Sequence, residues 1–269
     1  MNSIPRTDAD SRDLPELQVR MIPCLEDNYG YLLHDPETGY TACIDTPEVE
    51  PIMACLRETG WQLSHILNTH HHFDHAGGNL ELKEKTGCVI VGSRKDAARI
   101  PGIDIQMGND DVYLFGRHEM RIWETPGHTL GHLVYYFPAS RLLFAGDTLF
   151  ALGCGRLFEG TPEDMWTSLQ LLLELPDDTR VYCAHEYTAA NARFALSVDP
   201  DNADLKMRAE QINQLRELGK PTIPTTIGLE RRTNPFMRPQ NAGIRASVSL
   251  PEAPDVDVFA AVRARKDKF

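Results

Sequence analysis

The run His70-His71-His72-Phe73-Asp74-His75 packs metal-binding side chains into one short segment. Imidazole nitrogens and carboxylate oxygens are ligands for zinc, iron and manganese. In extended backbone alternate side chains share a side, which would line up His70, His72 and Asp74 and aim His75 elsewhere. Such a split suits two adjacent metals better than one. A polar loop without ligands would explain the run by itself, but matching ligand types recur further on. They are His128 in Thr125-Pro126-Gly127-His128, Asp147 in Ala145-Gly146-Asp147-Thr148, and His185 in Cys183-Ala184-His185-Glu186.

Each of these groups follows a segment that reads as a strand. Candidate strands are Leu17–Ile22, Tyr29–Leu33, Tyr40–Ile44, His65–Asn68, Val89–Gly92, Met120–Glu124, Leu133–Phe137, Arg141–Ala145 and Arg180–Cys183. Helices intervene: Val49–Thr59 and Gly78–Thr86 each stop at a glycine. Thr161-Pro162-Glu163-Asp164 carries a capping threonine, a first-turn proline and acids, opening a helix that runs to about Glu174. After His185 the pattern turns helical, over Thr188–Val198, Ala203–Leu218 and Asp255–Lys266, with no convincing strand between. The expected organisation is a polar tail over residues 1–16, an α+β catalytic domain over 17–187 and a helical domain over 188–269. Loops at strand ends converge on one edge of a rigid sheet scaffold, so the ligands can meet. A natural partition gives one metal to His70, His72 and His128 and the other to Asp74, His75 and His185, with Asp147 bridging at the ~3.5–4 Å spacing of two-metal hydrolases.

Composition excludes several alternatives. The net charge of −12 disfavours nucleic acid and anionic membrane as partners. No apolar run approaches the ~18 residues of a membrane span, and Met1–Pro15 lacks the apolar core of a secretory signal. The six cysteines show no CxxC spacing and sit in apolar stretches such as Tyr40-Thr41-Ala42-Cys43-Ile44, which fits free thiols in a reducing cytoplasm. His71 should point away from the metals and His132 should make an internal hydrogen bond. Cys154 and Cys183 read as packing residues. Asp45, ending a strand, is placed either to orient a ligand or to form a turn.

At these residues the chain resembles the metallo-β-lactamase-fold hydrolases and, within them, the glyoxalase II (hydroxyacylglutathione hydrolase) family. The segments 69–78, Thr125-Pro126-Gly127-His128-Thr129, 145–150 and His185-Glu186-Tyr187-Thr188 match the family's motifs. The resemblance covers roughly residues 17–269. It implies an αβ/βα sandwich with a C-terminal helical domain, and two divalent metal ions, zinc first, with iron or manganese also suited. It also implies action on a glutathione thioester, typically S-D-lactoylglutathione, in methylglyoxal detoxification; a monomer is the expected state. The family's glutathione contacts fall at Arg156, Leu157, Phe158, Tyr187, Arg263 and Lys266. Some members carry Lys where this chain has Arg156, which keeps the charge, and Tyr where it has Phe158, which loses a hydroxyl. Asn234-Pro235-Phe236-Met237-Arg238 matches as an interdomain loop.

The chemistry expected of such a site is hydrolytic, with Asp74 and Asp147 as its carboxylates. A single zinc lowers the pKa of water from ~15.7 to ~7, so hydroxide is available without a serine or cysteine nucleophile, and a metal can stabilise the oxyanion. Thioesters suit this because the thiolate leaves without a proton. Glutathione carries two carboxylates, so an acidic chain must concentrate positive charge locally. Arg156 beyond Asp147, and Arg263 with Lys266 on one face of the last helix, provide it. The rivals are a single-iron persulfide dioxygenase, a β-lactamase or lactonase, a nucleic-acid-processing relative, and a non-catalytic metal-binding module.

Overall fold

The computed structural model describes residues 14–269, so most of the expected tail lies outside the described residues. The chain runs through β1 (Gln18–Cys24), β2 (Asn28–His34), β3 (Thr41–Ile44), α1 (Val49–Thr59), β4 (His65–Leu67), α2 (Phe73–Ala76), α3 (Asn79–Thr86) and β5 (Val89–Ser93). It continues through β6 (Ile105–Met107), β7 (Val112–Phe115), β8 (His118–Glu124), β9 (Leu133–Phe137), β10 (Leu142–Gly146), β11 (Leu149–Phe150), β12 (Gly153–Cys154), α4 (Pro162–Leu173) and β13 (Arg180–Cys183). The remainder is α5 (Thr188–Val198), α6 (Ala203–Glu217), β14 (Thr225–Thr226), α7 (Ile227–Thr233), a 3-10 turn (Pro235–Met237), α8 (Ala242–Ser247) and α9 (Asp255–Lys266).

Two six-stranded sheets result, ordered β1-β2-β3-β4-β5-β6 and β14-β13-β10-β9-β8-β7. From β3 to β6 the strands are parallel, and β10 is parallel to β13. Parallel strands need cover on both faces and read as unbroken apolar runs, as Leu142-Leu143-Phe144-Ala145 does. Between the sheets lie Tyr31, Leu33, Leu67, Ile122, Tyr135, Phe137 and Phe144. The outer face of the first sheet packs Leu32, Cys43, Ile66 and Ile90 on Ile52 and Leu56 of α1 and Leu82 of α3. The outer face of the second packs Val134, Leu143 and Val181 with Met165 and Leu169 of α4 and Phe259 and Val262 of α9. This is the αβ/βα sandwich, with a helical C-terminal region laid against its second half.

Helix ends follow the sequence signals. Gly60 and Gly87 take left-handed φ of 71° and 72° at the ends of α1 and α3. Thr161 and Asp164 exchange a capping box at the start of α4. Five strands depart from expectation, among them β11 and β12, which pair with each other. β6 and β7 are short edge strands that sequence reading leaves as loop, and β14 joins the second sheet from within the helical region by pairing with β13. A two-residue strand carries too little alternation to register, and its pairing comes from the neighbour it meets.

Candidate metal centre and substrate cavity

The ligand candidates sit at the carboxyl ends of strands in both sheets. β4 leads into His70 and His72, β8 into His128, β10 into Asp147 and β13 into His185. The chain turns helical at Phe73, so Asp74 and His75 project from the α2 turn instead of continuing a strand. The alternation argument therefore holds for His70 and His72 and fails for Asp74, which joins His75 and His185.

Three nitrogens form one group: His70 Nε2 lies 2.9 Å from His72 Nδ1, which lies 3.1 Å from His128 Nε2. A second group gathers Asp74 Oδ2 at 3.5 Å from His75 Nε2 and 3.6 Å from His185 Nε2. Asp147 reaches both. Its Oδ2 is 3.4 Å from His128 Nε2, and its Oδ1 is 3.5 Å from the Nε2 atoms of His75 and His185. Each set of donor atoms falls within 4.8 Å, the span expected of ligands about one ion.

The opposite ring nitrogens are occupied, which fixes the tautomers. His75 Nδ1 donates to Asp45 Oδ2 at 2.8 Å, His185 Nδ1 to Asp27 Oδ1 at 2.8 Å and His128 Nδ1 to the Arg156 carbonyl at 2.9 Å. Their Nε2 lone pairs are left for a cation. Asp45 thus orients a candidate ligand and also accepts from Thr69 N and Oγ1 at 2.8 and 2.7 Å. His132 is no ligand: its Nε2 accepts from the Asp147 amide at 3.0 Å, and its Nδ1 meets Thr125 and Thr148 hydroxyls at 3.1 Å. His71 turns away to Asp96 Oδ2 at 3.1 Å. Gly146 allows this closeness, since a Cβ there would lie 2.7 Å from both His132 Nε2 and Thr69.

Electrostatics prepare the groups for metal. Burial, reinforced by neighbouring imidazoles, pushes His70 well below the usual histidine range and His72 down to about 4. Burial also lowers His128. Burial works to raise Asp74 and Asp147, yet His75 and its neighbours outweigh it and both carboxyls lie below their usual range. His75 is the exception: burial opposes its proton, but Asp147 and Asp45 outweigh burial and hold it well above the ordinary range. The pocket between these carboxylates therefore favours a positive charge. Asp147 Oδ1 is buried and accepts no hydrogen bond among the described residues. Such an orphaned carboxylate oxygen costs several kcal/mol (roughly), and a divalent cation satisfies it. Nitrogen and oxygen donors without thiolate fit zinc, iron or manganese. The residues present fit divalent metal ions.

A cavity of about 500 Å³ opens from the centre, lined by His72, Asp74, His128, Asp147 and His185 and also by Arg156, Arg263, Lys266 and Asp267. Phe158 presents its ring to His128 at 5.1 Å between centroids. Tyr187 stacks on His185 at 4.7 Å. Arg263 is 5% exposed and occupied, donating to the Cys154 carbonyl at 2.9 Å and to Asp267. Leu157 is absent from the cavity wall and packs against the apolar cluster of α4 and α9, because neighbouring side chains in non-helical backbone face opposite ways. Sequence reading missed Asp27 and Asn28, which follow β1. Asn28 Nδ2 donates to Asp74 Oδ2 at 3.1 Å. Their one signal was a polar Asp-Asn pair directly before an apolar strand.

Comparison with known proteins places the chain. Residues 44–185 match the family profile of the metallo-beta-lactamase superfamily and residues 186–269 that of the hydroxyacylglutathione hydrolase C-terminus. It is 53% identical over 256 residues to the hydroxyacylglutathione hydrolase of Maricaulis maris, covering 95% of this chain and all (100%) of that one. Identity to the enzyme of the same name from Rhizobium etli is 54%, covering 94% of this chain and 99% of the relative. Among solved structures, ETHE1 from Myxococcus xanthus superposes with a TM-score of 0.64 at 25% identity, covering 93% of this chain and 98% of that one. A protein named TTHA1623, crystallised in a di-iron-bound form, gives 0.59 at 27% identity, covering 80% and 98%. With family profiles matched over residues 44–269 and relatives above 50% identical covered over nearly their whole length, the chain belongs to the hydroxyacylglutathione hydrolase family of the metallo-β-lactamase superfamily.

Proposed function

We propose that this protein hydrolyses the thioester of S-(2-hydroxyacyl)glutathione, with S-D-lactoylglutathione as the typical substrate and D-lactate and glutathione as products, in methylglyoxal detoxification. The observation that carries this reading is Asp147 reaching two candidate ligand groups in a cavity that Arg156, Arg263 and Lys266 also line. His70, His72 and His128 would hold one ion and Asp74, His75 and His185 the other, with Asp147 between them. We take zinc for both, with iron or manganese accepted by the same donors. Bound there, a pair of divalent cations lowers the pKa of water toward neutrality and polarises a carbonyl oxygen.

The chain's own groups do the rest. Asp45, Asp27 and the Arg156 carbonyl hold three imidazoles so that their Nε2 atoms face the reacting centre. Asp74, whose side chain is 39% exposed, marks the side on which solvent reaches it. Arg156, Arg263 and Lys266 give the glutathione carboxylates a cationic wall within a chain of net charge −12. Among the described residues neither Arg156 nor Lys266 forms an ion pair with a carboxylate, and Lys266 Nζ lies 5.4 and 5.5 Å over the Phe194 and Phe269 rings, so both charges are available to an anion. Phe158 and Tyr187 flank the path from this wall to the centre. The thiol released has a pKa of ~8.5, so it departs as thiolate without a general acid. We assign residues 17–187 to catalysis and 188–269 to holding glutathione.

A single-iron dioxygenase needs only one ligand group, and the second group with its shared carboxylate favours hydrolysis. We also place the protein in the cytoplasm as a monomer, a setting that agrees with six free cysteines. Metal-replete protein should discharge S-D-lactoylglutathione with thiol appearing as thioester disappears and no oxygen consumed. Loaded protein that leaves the thioester intact, or that takes up oxygen on a glutathione persulfide, would defeat the reading.

A further inference from the structure

The hairpin that follows Asp147 is not held by its own ladder alone. β11 and β12 pair over two positions, and five further bonds to the hairpin's backbone come from side chains beyond Tyr187. Asn234 Nδ2 donates to the Phe150 and Gly153 carbonyls at 3.3 and 3.0 Å. Asn191 Nδ2 donates to the Ala151 carbonyl at 3.1 Å, and Arg263 Nη1 to the Cys154 carbonyl at 2.9 Å. The Leu152 amide donates to Glu230 Oε2 at 2.8 Å. Leu152 itself has a φ of +60°, a conformation that costs a non-glycine residue about 1–2 kcal/mol. Its side chain is buried among Ala192, Ala195, Leu205 and Ile212 of α5 and α6.

Glu230 is fully buried and satisfied on every side. Its Oε1 accepts from Arg208 Nη2 at 2.5 Å and from Thr225 Oγ1 at 2.6 Å, and its Oε2 also accepts from Asn234 Nδ2 at 2.9 Å. A buried ion pair is weak evidence for stability, and its better-attested use is to specify one arrangement. Here the arrangement it specifies is the hairpin. What the hairpin carries lies in the site. The Arg156 carbonyl orients His128 at 2.9 Å, Phe150 packs its ring on Tyr187 at 5.3 Å and on His185 at 5.9 Å, and Arg156 lines the cavity.

We propose that Asn191, Glu230, Asn234 and Arg263 are positioning residues, a polar template in the helical region that sets the 149–155 hairpin and so aims Arg156 and His128. The helical region then governs the metal centre as well as the cavity wall. Arg263 serves in both, lining the cavity and pinning the Cys154 carbonyl. The inference rests on the thioesterase reading for its kinetic arm only. Affinity for a non-hydrolysable S-alkylglutathione and for metal can be read without turnover.

The test is Asn234→Ala, measured alone and in an Arg156→Ala background. If the template acts through the hairpin, the single variant weakens S-alkylglutathione binding and raises KM by about tenfold, as a misplaced contact does. It also loosens the ion held by the His128 group about tenfold against a chelator, with the other ion unaffected. In the Arg156→Ala background the same substitution should change ligand affinity less than about twofold, because the group it positions is gone. Additive losses in the double variant, or a folded Asn234→Ala protein with ordinary ligand and metal affinity, would overturn the proposal. Should Asn234→Ala fail to fold, Asn191→Ala removes one donor from a helical position that accepts alanine. It should show the same non-additivity at about fivefold amplitude, and its absence would count equally against the template.

Discussion

Substituting Asp45 by Asn tests whether ligand orientation, and not merely ligand identity, sustains the metal centre. Asp45 lies at φ +57°, a region that Asn tolerates as well as Asp, so the change leaves the backbone unstrained. Its Oδ1 accepts from the Thr69 amide at 2.8 Å, a bond the Asn oxygen can keep. Its Oδ2 accepts from His75 Nδ1 at 2.8 Å, and there an amide NH₂ would face a ring N–H. Two donors cannot pair, so His75 must move its proton to Nε2, the atom that faces Asp74 and Asp147. A protonated Nε2 cannot ligate. Loss of such an orienting partner costs about 10- to 100-fold in metal affinity, or about 1.4–2.7 kcal/mol. Titration of metal-free protein in competition with a chelator should show that loss for one ion only. The ion of the His70, His72 and His128 group, which Asp45 does not touch, should keep its affinity. Two ions bound as tightly as in the unaltered protein would refute the reasoning.

Other outcomes follow from the same geometry. A Cβ at Gly155 would lie 2.1 Å from the Asp147 carbonyl oxygen, a backbone atom that cannot yield. Gly155→Ala should therefore cost about 1–3 kcal/mol in chemical unfolding, and an unfolding midpoint equal to that of the unaltered protein would contradict the packing. Burial, and then Arg263, Arg193 and Arg156, lower the Lys266 pKa below the ordinary lysine value. Its charge is thus lost earlier as pH rises, so KM for a glutathione thioester should climb in alkaline solution. Lys266→Met should raise KM about tenfold at neutral pH, the loss of a charged hydrogen bond of roughly 1.5 kcal/mol, and should flatten that climb; an alkaline limb that survives the substitution would exclude Lys266 as its source. Glu159 is held down to about 2, chiefly by its hydrogen bond from Arg99. A depressed carboxyl stabilises the fold above its unfolded pKa of ~4.3 and loses that contribution as pH falls toward its folded value. The melting gap between the unaltered protein and Glu159→Gln, roughly 1 kcal/mol for a partly exposed pair, should narrow below that pH, and a gap constant with pH would argue against the pairing.

The candidate ligands were legible because their chemistry is carried by residue type, in short runs directly after apolar strands. Seven candidates could be named without knowing how the strands pair. How they divide was only half legible, since alternation assumed extended backbone through Asp74 while the chain turns helical at Phe73. Groups that act through a carbonyl, such as Arg156 on His128, leave no trace in residue type. Nor do partners such as Asp27, brought to His185 across 158 positions of chain. Arg263 and Lys266 share a helix face as their spacing implies, yet Arg263 is spent largely on Cys154 and Asp267. The capping box at Thr161 was readable because it is local. β6, β7 and β14 were not, because pairing with a neighbour makes them strands.

The central claim is that Asp147 joins two ion sites, and metal counting tests it most directly. Elemental analysis of dialysed, metal-replete protein should find a pair of divalent ions per chain, with Asp147→Ala losing affinity for both together. A saturated protein that holds a single ion, or an Asp147→Ala variant that keeps its full complement, would contradict it.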